Sequence, residues 1–291
     1  MRVMIIENPI SGRGAAPAAA ERLGNVLVQV GHVVERRATR ARGDAGRFAA
    51  EAGSGFDRIV VAGGDGTLNE VLNGLADPTR IPIAFLALGT ANMLARDLGL
   101  PRDPEGVAAL VESEAIRRVD LGRIGKHRFL GNVGVGFDAL VVERIGRTRQ
   151  GALGYRSYVL PILHLLTGYR EPRLEVRIDD GEPLACGFFV ASNLRNYGGL
   201  FQVSERARCD SGALEVCIFE RAGMLDLVRY GIAGMLARLP KQGGVAYHSA
   251  RRVRVDGDPA PVQVDGDYWG STPVELEIEP AAASILVPEI A

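Results

Sequence analysis

The stretch VVAGGDGTLNEVLNGL, residues 60–75, decides the fold. The apolar run Ile59-Val60-Val61-Ala62 has the composition of a buried strand, and Leu68, Val71, Leu72 and Leu75 then recur at helical spacing. Between the two, Gly63, Gly64 and Gly66 surround one acid, Asp65. A strand that ends in glycines before a helix presents backbone N–H groups at the helix N-terminus, and these bind phosphate with the help of the helix dipole. A bare anion would not favour a carboxylate there. An anion carrying Mg²⁺ would, because Mg²⁺ takes hard oxygen ligands and bridges phosphate to carboxylate. A tight turn with a solvated aspartate accounts for the same residues, so Gly-Gly-Asp-Gly alone leaves both readings open.

Working outward, the first ~120 residues alternate strand and helix, the order of an α/β fold. RVMIIEN, HVVERRAT, DRIVVA and IPIAFLAL read as strands, with helices through AAAERLGNVLVQV, DAGRFAAEA, TLNEVLNGLA, NMLARDLGL and DPEGVAALVES. The lack of polar alternation in these strands predicts a parallel sheet covered on both faces. Near residue 120 the pattern changes to short strands punctuated by Gly, Pro and Asp, from IRRVDLGRI to PVELEIE, as in antiparallel sheets. Helices are expected in FDALVVERIG, YRSYVLPILHLLTG and MLDLVRYGIAGMLARL. The expected division is an α/β nucleotide-binding domain over 1–121 and a mostly antiparallel β domain over 122–291.

The 291 residues are 47% hydrophobic and 24% charged with a formal net charge of -1, so no bulk basic field exists for nucleic acid. MRVMIIENP runs directly into a strand without a signal-peptide layout, and no apolar run approaches the ~20 residues that span a bilayer. Cys186, Cys209 and Cys217 show no Cys-x-x-Cys spacing and read as free thiols of a reduced cytoplasm. Histidines 32, 127, 164 and 248 are scattered without metal spacing.

Two further loops, NPISGRG (8–14) and LGTAN (88–92), follow the first and fourth strands. In a parallel sheet, loops after successive strands converge at the carboxyl ends, where ligands bind. Neither Gly-x-x-x-x-Gly-Lys-Ser/Thr nor Gly-x-Gly-x-x-Gly follows the first strand.

These segments, together with Thr39, GGDGTLNEVLNGL, LALGTANMLARDLGLP, GNVGVGFDA and VQVDGDYWGSTPVELEI, occur in the order seen in the diacylglycerol kinase catalytic-domain family, and the chain resembles its small bacterial members over nearly its whole length. The resemblance implies an NAD-kinase- and phosphofructokinase-like first domain and an ATP-dependent kinase acting on a lipid hydroxyl. It puts the nucleotide site on Asn8, Pro9, Ile10, Ser11, Gly12, Thr39, Gly63, Gly64, Asp65, Gly66, Thr67, Leu68, Asn69 and Thr90, with Asn92 in the same loop, and the cofactors are ATP and Mg²⁺. Ile10 stands where the family often has a basic or polar residue. The family's catalytic base comes from a late Asp-Gly-Glu turn, which this chain writes Asp265-Gly266-Asp267, so the base is expected at Asp267. Asp256-Gly257-Asp258 is a decoy without the downstream TPVELEI. A hairpin turn explains Asp-Gly equally well on its own.

The family's structural Mg²⁺ loop falls on RARCDSGALEV, where Asp210 remains as a metal ligand and Ser211 replaces an acid. Asp138 resembles an acidic position that ties the domains, or caps the following helix. In MLDLVRYGIAGMLARL, Met224, Val228, Ile232, Met235 and Leu239 share a face that reads first as core and second as a bilayer contact. The expected partners are a lipid substrate at a membrane surface and a second copy in a homodimer, with the protein cytoplasmic and peripheral at the membrane. Rival functions are an NAD or sugar kinase, the NAD-type Thr/Gly-rich segment being echoed only superficially by GSTPVE (270–275), and a nucleotide-binding regulator without turnover.

Overall fold

The computed structural model describes residues 1–53, 55–148, 169–197, 201–236 and 238–289. The helix expected over 155–168, with His164, lies outside the described residues. The chain forms two compact units, one of Met1–Leu121 with Glu279–Ala291, the other of Gly122–Ile278.

In the first unit β1 (Arg2–Glu7), α1 (Ala16–Gln29), β2 (Val33–Ala38), α2 (Asp44–Ala52), β3 (Arg58–Gly63), α3 (Asp65–Gly74), β4 (Ile83–Ala87), α4 (Met93–Asp97) and α5 (Pro104–Glu112) alternate as the periodicity predicts. The strands are parallel in the order β2-β1-β3-β4. Val3–Ile6, Ile59–Ala62 and Ile83–Leu86 have no exposed surface, because α1 pairs with α5 and α2 with α3 over the sheet. Burying Leu68, Val71 and Leu72 seats α3 on the sheet, each worth roughly 1.5–3 kcal/mol. Because β1 is followed by β2 on one side and β3 lies on the other, the order of strand addition reverses between β1 and β3. Open α/β sheets bind ligands at such a reversal, beyond the carboxyl ends of the strands.

The second unit contains β5 (Ile116–Ile124, which begins in the first unit), β6 (His127–Phe129), β7 (Asn132–Val135), α6 (Phe137–Thr148), β8 (Leu174–Ile178), β9 (Leu184–Cys186), β10 (Phe188–Ser192), β11 (Asn196–Tyr197), β12 (Phe201–Gln202), β13 (Leu214–Phe219), α7 (Met224–Met235), β14 (Val245–Ala250), β15 (Arg252–Gly257), β16 (Pro261–Val264), β17 (Asp267–Ser271) and the start of β18 (Val274–Leu286). One antiparallel sheet runs β14-β13-β10-β7-β16-β17, and β9-β8-β15-β18 forms a second. Val133, Val135, Phe189, Val216 and Ile218 of the first sheet and Val176, Val253, Val255 and Leu276 of the second make one sandwich core. The opposite face of the first sheet carries Phe188, Val190, Cys217 and Phe219, covered by Leu227, Tyr230 and Ala233 of α7. Phe188 and Phe219 stack with centroids 4.0 Å apart. Double coverage explains why β10 and β13 are buried at every position instead of alternating.

α7 corrects the expectation that Met224, Val228 and Ile232 are core. Both faces of this helix are apolar, and the aromatic cluster takes the face with Tyr230, leaving those three at 52%, 41% and 55% exposure. The last strand is the other departure. β18 pairs antiparallel with β15 in the second unit and then, at Ile285 opposite Ile83, parallel with β4 in the first. Residues 279–289 thus sit with the nucleotide-type sheet.

Candidate functional site

At the carboxyl ends of β1, β3 and β4, backbone contacts bring three loops together. The Asn8 amide donates to Ala62 O at 2.9 Å, and its Nδ2 reaches Thr67 Oγ1 at 3.2 Å, tying the first loop to the first turn of α3. Ser11 N donates to Asn8 O at 3.0 Å and Ile10 N to Asn8 Oδ1 at 3.3 Å, which folds the loop back on itself. Leu88 N donates to Gly63 O at 2.7 Å. Beyond this bond the two loops touch through glycines. A Cβ on Gly89 would lie 2.7 Å from Gly64 Cα and 2.8 Å from Asn92 Oδ1, so no side chain fits. Thr39 ends β2, its amide on Glu7 O at 2.8 Å, beside the start of the first loop.

Asp65 opens α3 with Gly64 as its N-cap. Its Oδ1 accepts the Met93 amide at 2.8 Å, which joins the first turns of α3 and α4. Asp65 is therefore a structural tie as well as a candidate ligand. Asn92, in a left-handed conformation (φ 49°), donates through Nδ2 to Gly89 O at 2.9 Å. Its Oδ1 is buried without a hydrogen-bond partner among the described residues. Gly66 and Thr90 are exposed, Thr67 is buried, and Pro9, Ser11 and Asn69 are half-buried. Two expected residues point elsewhere. The Leu68 side chain is in the core with its amide on Gly64 O, and Ile10 is 85% exposed. Gly12 and Arg13 of the same loop adopt φ of 62° and 56°. Arg13, an exposed cation between glycines, was passed over in the sequence. The signal for it was there, a basic residue inside the glycine loop that follows the first strand.

The second group of residues lies in the second unit. Asp265 (φ 50°) and Gly266 (φ 85°) form the turn between β16 and β17, and Asp267 is the exposed first residue of β17. The Asp265 carboxylate accepts the amides of Leu130, Gly131 and Asn132 at 2.8, 2.8 and 2.9 Å. Burial pushes this carboxyl above the ordinary range, against the pull of the three amides. Gln263 grips the other side of the turn through Oε1, which accepts Gly266 N at 2.8 Å. Its Nε2 lies 3.0 Å from Asp138 Oδ2, 3.2 Å from Asn132 Oδ1 and 3.2 Å from Tyr197 Oη. An amide has two hydrogens for these three acceptors, so one contact is shared. Tyr197 in turn hydrogen-bonds Asp138, whose carboxyl is raised by burial against these two bonds. Gly134, opposite Gln263 in the β7–β16 register, is what makes room, since a Cβ there would overlap the Asp138 carboxylate. Asp138 is thus held inside its own unit by side chains.

The decoy turn is structural. Asp256 pairs with Arg254 at 2.8 Å, and Asp258 accepts the Arg173 amide at 3.0 Å. Thr272, in the GSTPVE segment, is a buried clamp between Ala260 N and Asp258 O, both at 2.9 Å. All three cysteines are free and buried, and burial pushes Cys186 and Cys217 up to about 12, so neither is a thiolate nucleophile.

Metal fit differs between the units. Asp65 with neighbouring amides suits a Mg²⁺ that arrives on phosphates, since Mg²⁺ is commonly held by one or two carboxylates plus substrate oxygens. Asp210 does not fit a structural cation. Its carboxylate is engaged by Arg208 Nε at 3.0 Å, and the Ser211 hydroxyl lies 3.0 Å from both Arg208 O and Ala213 O. Among the described residues no group of three or more His, Cys, Asp or Glu side chains converges for a metal.

Residues 2–124 match the diacylglycerol kinase catalytic domain and residues 131–287 the YegS C-terminal NAD kinase beta sandwich-like domain. The chain is 31% identical to a diacylglycerol kinase of Mycobacterium tuberculosis (strain ATCC 25618 / H37Rv), covering 99% of this chain and 95% of that protein. It is 29% identical to a diacylglycerol kinase of Bacillus subtilis (strain 168), over 94% and 92% of the two. The fold superposes on a crystal structure of a diacylglycerol kinase from Bacillus anthracis str. Sterne with a TM-score of 0.75 at 21% identity, covering 99% of this chain and 97% of that one. With both halves matched in sequence order and a relative above 30% identity aligned end to end, the chain belongs to the diacylglycerol kinase catalytic-domain family.

Proposed function

We propose that the protein transfers the γ-phosphoryl group of ATP to the hydroxyl of a diacylglycerol-type lipid. The observation that carries this reading is the convergence of the 8–14, 63–69 and 88–92 loops at the strand-order reversal, with Asp65 among their amides. First-turn amides of α3, at Gly66 and Thr67, are not consumed inside the helix and donate to phosphate oxygens. Arg13 supplies the side-chain cation that Ile10 does not, and Thr39, Thr90 and Asn92 add polar contacts to the nucleotide. Asp65 would hold the Mg²⁺ that arrives with the nucleotide, and that ion would supply neutralisation of the phosphate charge.

Asp267 accepts the proton of the lipid hydroxyl as that oxygen bonds to the γ-phosphorus. The bond from phosphorus to the bridging oxygen breaks, and ADP leaves. The neighbours of Asp267 favour a lipid acceptor. Tyr268 and Trp269 are 49% and 44% exposed, and such amphipathic rings suit a site with one apolar and one wet side. Trp269 lies 5.0 Å from the His127 ring.

The test offers labelled ATP with diacylglycerol, sphingosine, ceramide, phosphatidylglycerol and NAD side by side, read by thin-layer chromatography. Label is expected in a lipid and not in NADP. Label in NADP with none in any lipid would overturn the reading, and no label in any product would favour a nucleotide-binding regulator.

A further inference from the structure

We propose that the outward face of α7 is the surface by which the protein docks on an anionic phospholipid bilayer. The inference rests on the lipid-kinase reading only in supplying a reason to visit a membrane. α7 has apolar side chains on two sides. Leu227, Tyr230 and Ala233 are sealed against Phe188 and Phe219, whereas Leu225, Val228, Ile232 and Leu236 face away at 80%, 41%, 55% and 59% exposure. Their steps of three, four and four residues place them in one row along the helix. They line a shallow groove of about 400 Å³ whose other walls include Arg229 and Arg238. Leu225, at 80% exposure, adds little to the fold, so stability alone does not account for the row.

Charge selects the occupant. Between Glu220 and Lys241 the chain carries four cations, Arg221, Arg229, Arg238 and Lys241, against two acids, Glu220 and Asp226, in a molecule of net charge -1. Arg229 is fixed beside the row by Asp226 at 3.3 Å and Gly243 O at 2.9 Å. An apolar row edged with arginines is the composition of a helix that lies in a bilayer interface, its apolar side sunk ~5–10 Å among acidic headgroups. A second copy fits less well. The same patch would meet itself across a two-fold axis and bring two surplus positive charges of the same kind together. A helix of this length offers a face about 18 Å by 10 Å, far short of the ~800 Å² per partner of a stable interface. Among the described residues no helix is long and apolar enough to cross a membrane, so contact at the surface is the mode this helix allows.

The experiment is flotation of the full chain with vesicles of phosphatidylcholine alone and of phosphatidylcholine mixed with phosphatidylglycerol. Wild-type protein is expected to float with the mixed vesicles. Leu225→Glu and Ile232→Glu should each lower partitioning about tenfold, the worth of one buried aliphatic side chain. Arg238→Gln should lower it about fivefold on acidic vesicles only. Val28→Glu, at an equally exposed apolar site on α1, should float as wild type does. Phosphorylation of a water-dispersed short-chain diacylglycerol should be unchanged in the Leu225 and Ile232 variants, while phosphorylation of bilayer diacylglycerol falls with partitioning. Wild-type protein that stays off acidic vesicles, or a Leu225→Glu/Ile232→Glu double variant that floats normally, overturns the proposal. So does a dimer by light scattering that the double variant turns to monomer while flotation persists. Normal flotation without lipid phosphorylation would instead sink the kinase reading and leave this surface standing.

Discussion

The two candidate regions are built by different means. The phosphate-type loops of the first unit are shaped by backbone: Gly64 against Gly89, Leu88 N on Gly63 O, Asn8 N on Ala62 O. The turn bearing Asp267 is shaped by side chains far away in sequence, Asp265 reaching back to 130–132 and Gln263 to Asp138 and Tyr197. A backbone site fails when a side chain is added. A side-chain site fails when one acceptor is removed. Each can therefore be broken in its own way.

The largest effect should come from the acid itself. Asp267→Asn should lower kcat by about 10²–10⁴, the worth of a positioned acid–base group, while the melting midpoint holds because Asp267 is exposed. The same change two residues earlier should read the other way. Asp265→Asn turns one oxygen that faces amide donors into a donor, and the orphaned amides should cost about 1–3 kcal/mol of stability, with turnover falling as a consequence. Turnover at saturating lipid and a thermal melt of each variant separate the two. If Asp267→Asn melts early and Asp265→Asn does not, the roles given to these acids are reversed.

Gly89→Ala breaks the other region. Its Cβ would strike Gly64 Cα and Asn92 Oδ1, with backbone on one side that cannot rotate away. Overpacking of this kind costs about 1–3 kcal/mol. ATP affinity by calorimetry should fall with it, whereas Gly66→Ala, where a Cβ meets nothing within 4 Å, should leave the loops packed as before. Equal effects of the two alanines would show that backbone approach does not shape this site.

This contrast also explains what could be read from the sequence. β1, β3, β4 and their loops were legible because buried parallel strands and glycine turns leave fixed local signatures. The Asp-Gly-Asp segment was legible as a hairpin turn and its role as a base only through the family resemblance, and nothing in its spacing pointed to the contacts of Gln263 with Asp138 and Tyr197, which lie far away in sequence. β17 was not foreseen beyond Asp267, because its mostly exposed residues carry no apolar alternation, and β14 was not foreseen at all. Of the outward row of α7, Val228 and Ile232 were read in a stripe with Met224, first as core and second as a bilayer contact, while Leu225 and Leu236 were passed over. Periodicity counts apolar faces and does not say which one the aromatic cluster will take. The return of β18 to β4 depends on the pairing of Ile285 with Ile83, some two hundred positions apart, and no local pattern carries that.

Asp138 gives a smaller, pH-dependent effect. Burial raises its folded-state carboxyl above the unfolded value, so the folded state favours the protonated form. The stability tied to it is full below the unfolded value and is lost as pH rises through the folded one. Asp138→Asn keeps an acceptor for Gln263 and a donor for Tyr197 and removes that loss. The variant should gain on wild type in denaturant midpoint as pH climbs from the ordinary carboxylate range, then hold a constant lead. Asp265 titrates in the same direction in both proteins and cancels in the comparison. A lead that shrinks with rising pH would mean the site holds Asp138 ionised.

The smallest effect concerns the 206–216 loop, where the family resemblance expects a cation and the side chains present argue for none. Arg208 brings positive charge to Asp210, and the Ser211 hydroxyl lies within hydrogen-bond distance of two carbonyls that a metal would otherwise gather. We propose that this loop is closed without a metal. Dialysis against EDTA should then leave the melting midpoint of the protein unchanged, and added Mg²⁺ without nucleotide should not raise it. Arg208→Gln should lower the midpoint only slightly, because Arg208 is 58% exposed and surface ion pairs contribute little. Ser211→Asp, which restores the acid expected by resemblance, is the sharper probe. It replaces a hydroxyl donor with an acceptor facing two carbonyls, so it should destabilise the loop in EDTA and recover when Mg²⁺ is added. A wild-type midpoint that falls in EDTA and returns with Mg²⁺ would put a cation on Asp210 after all.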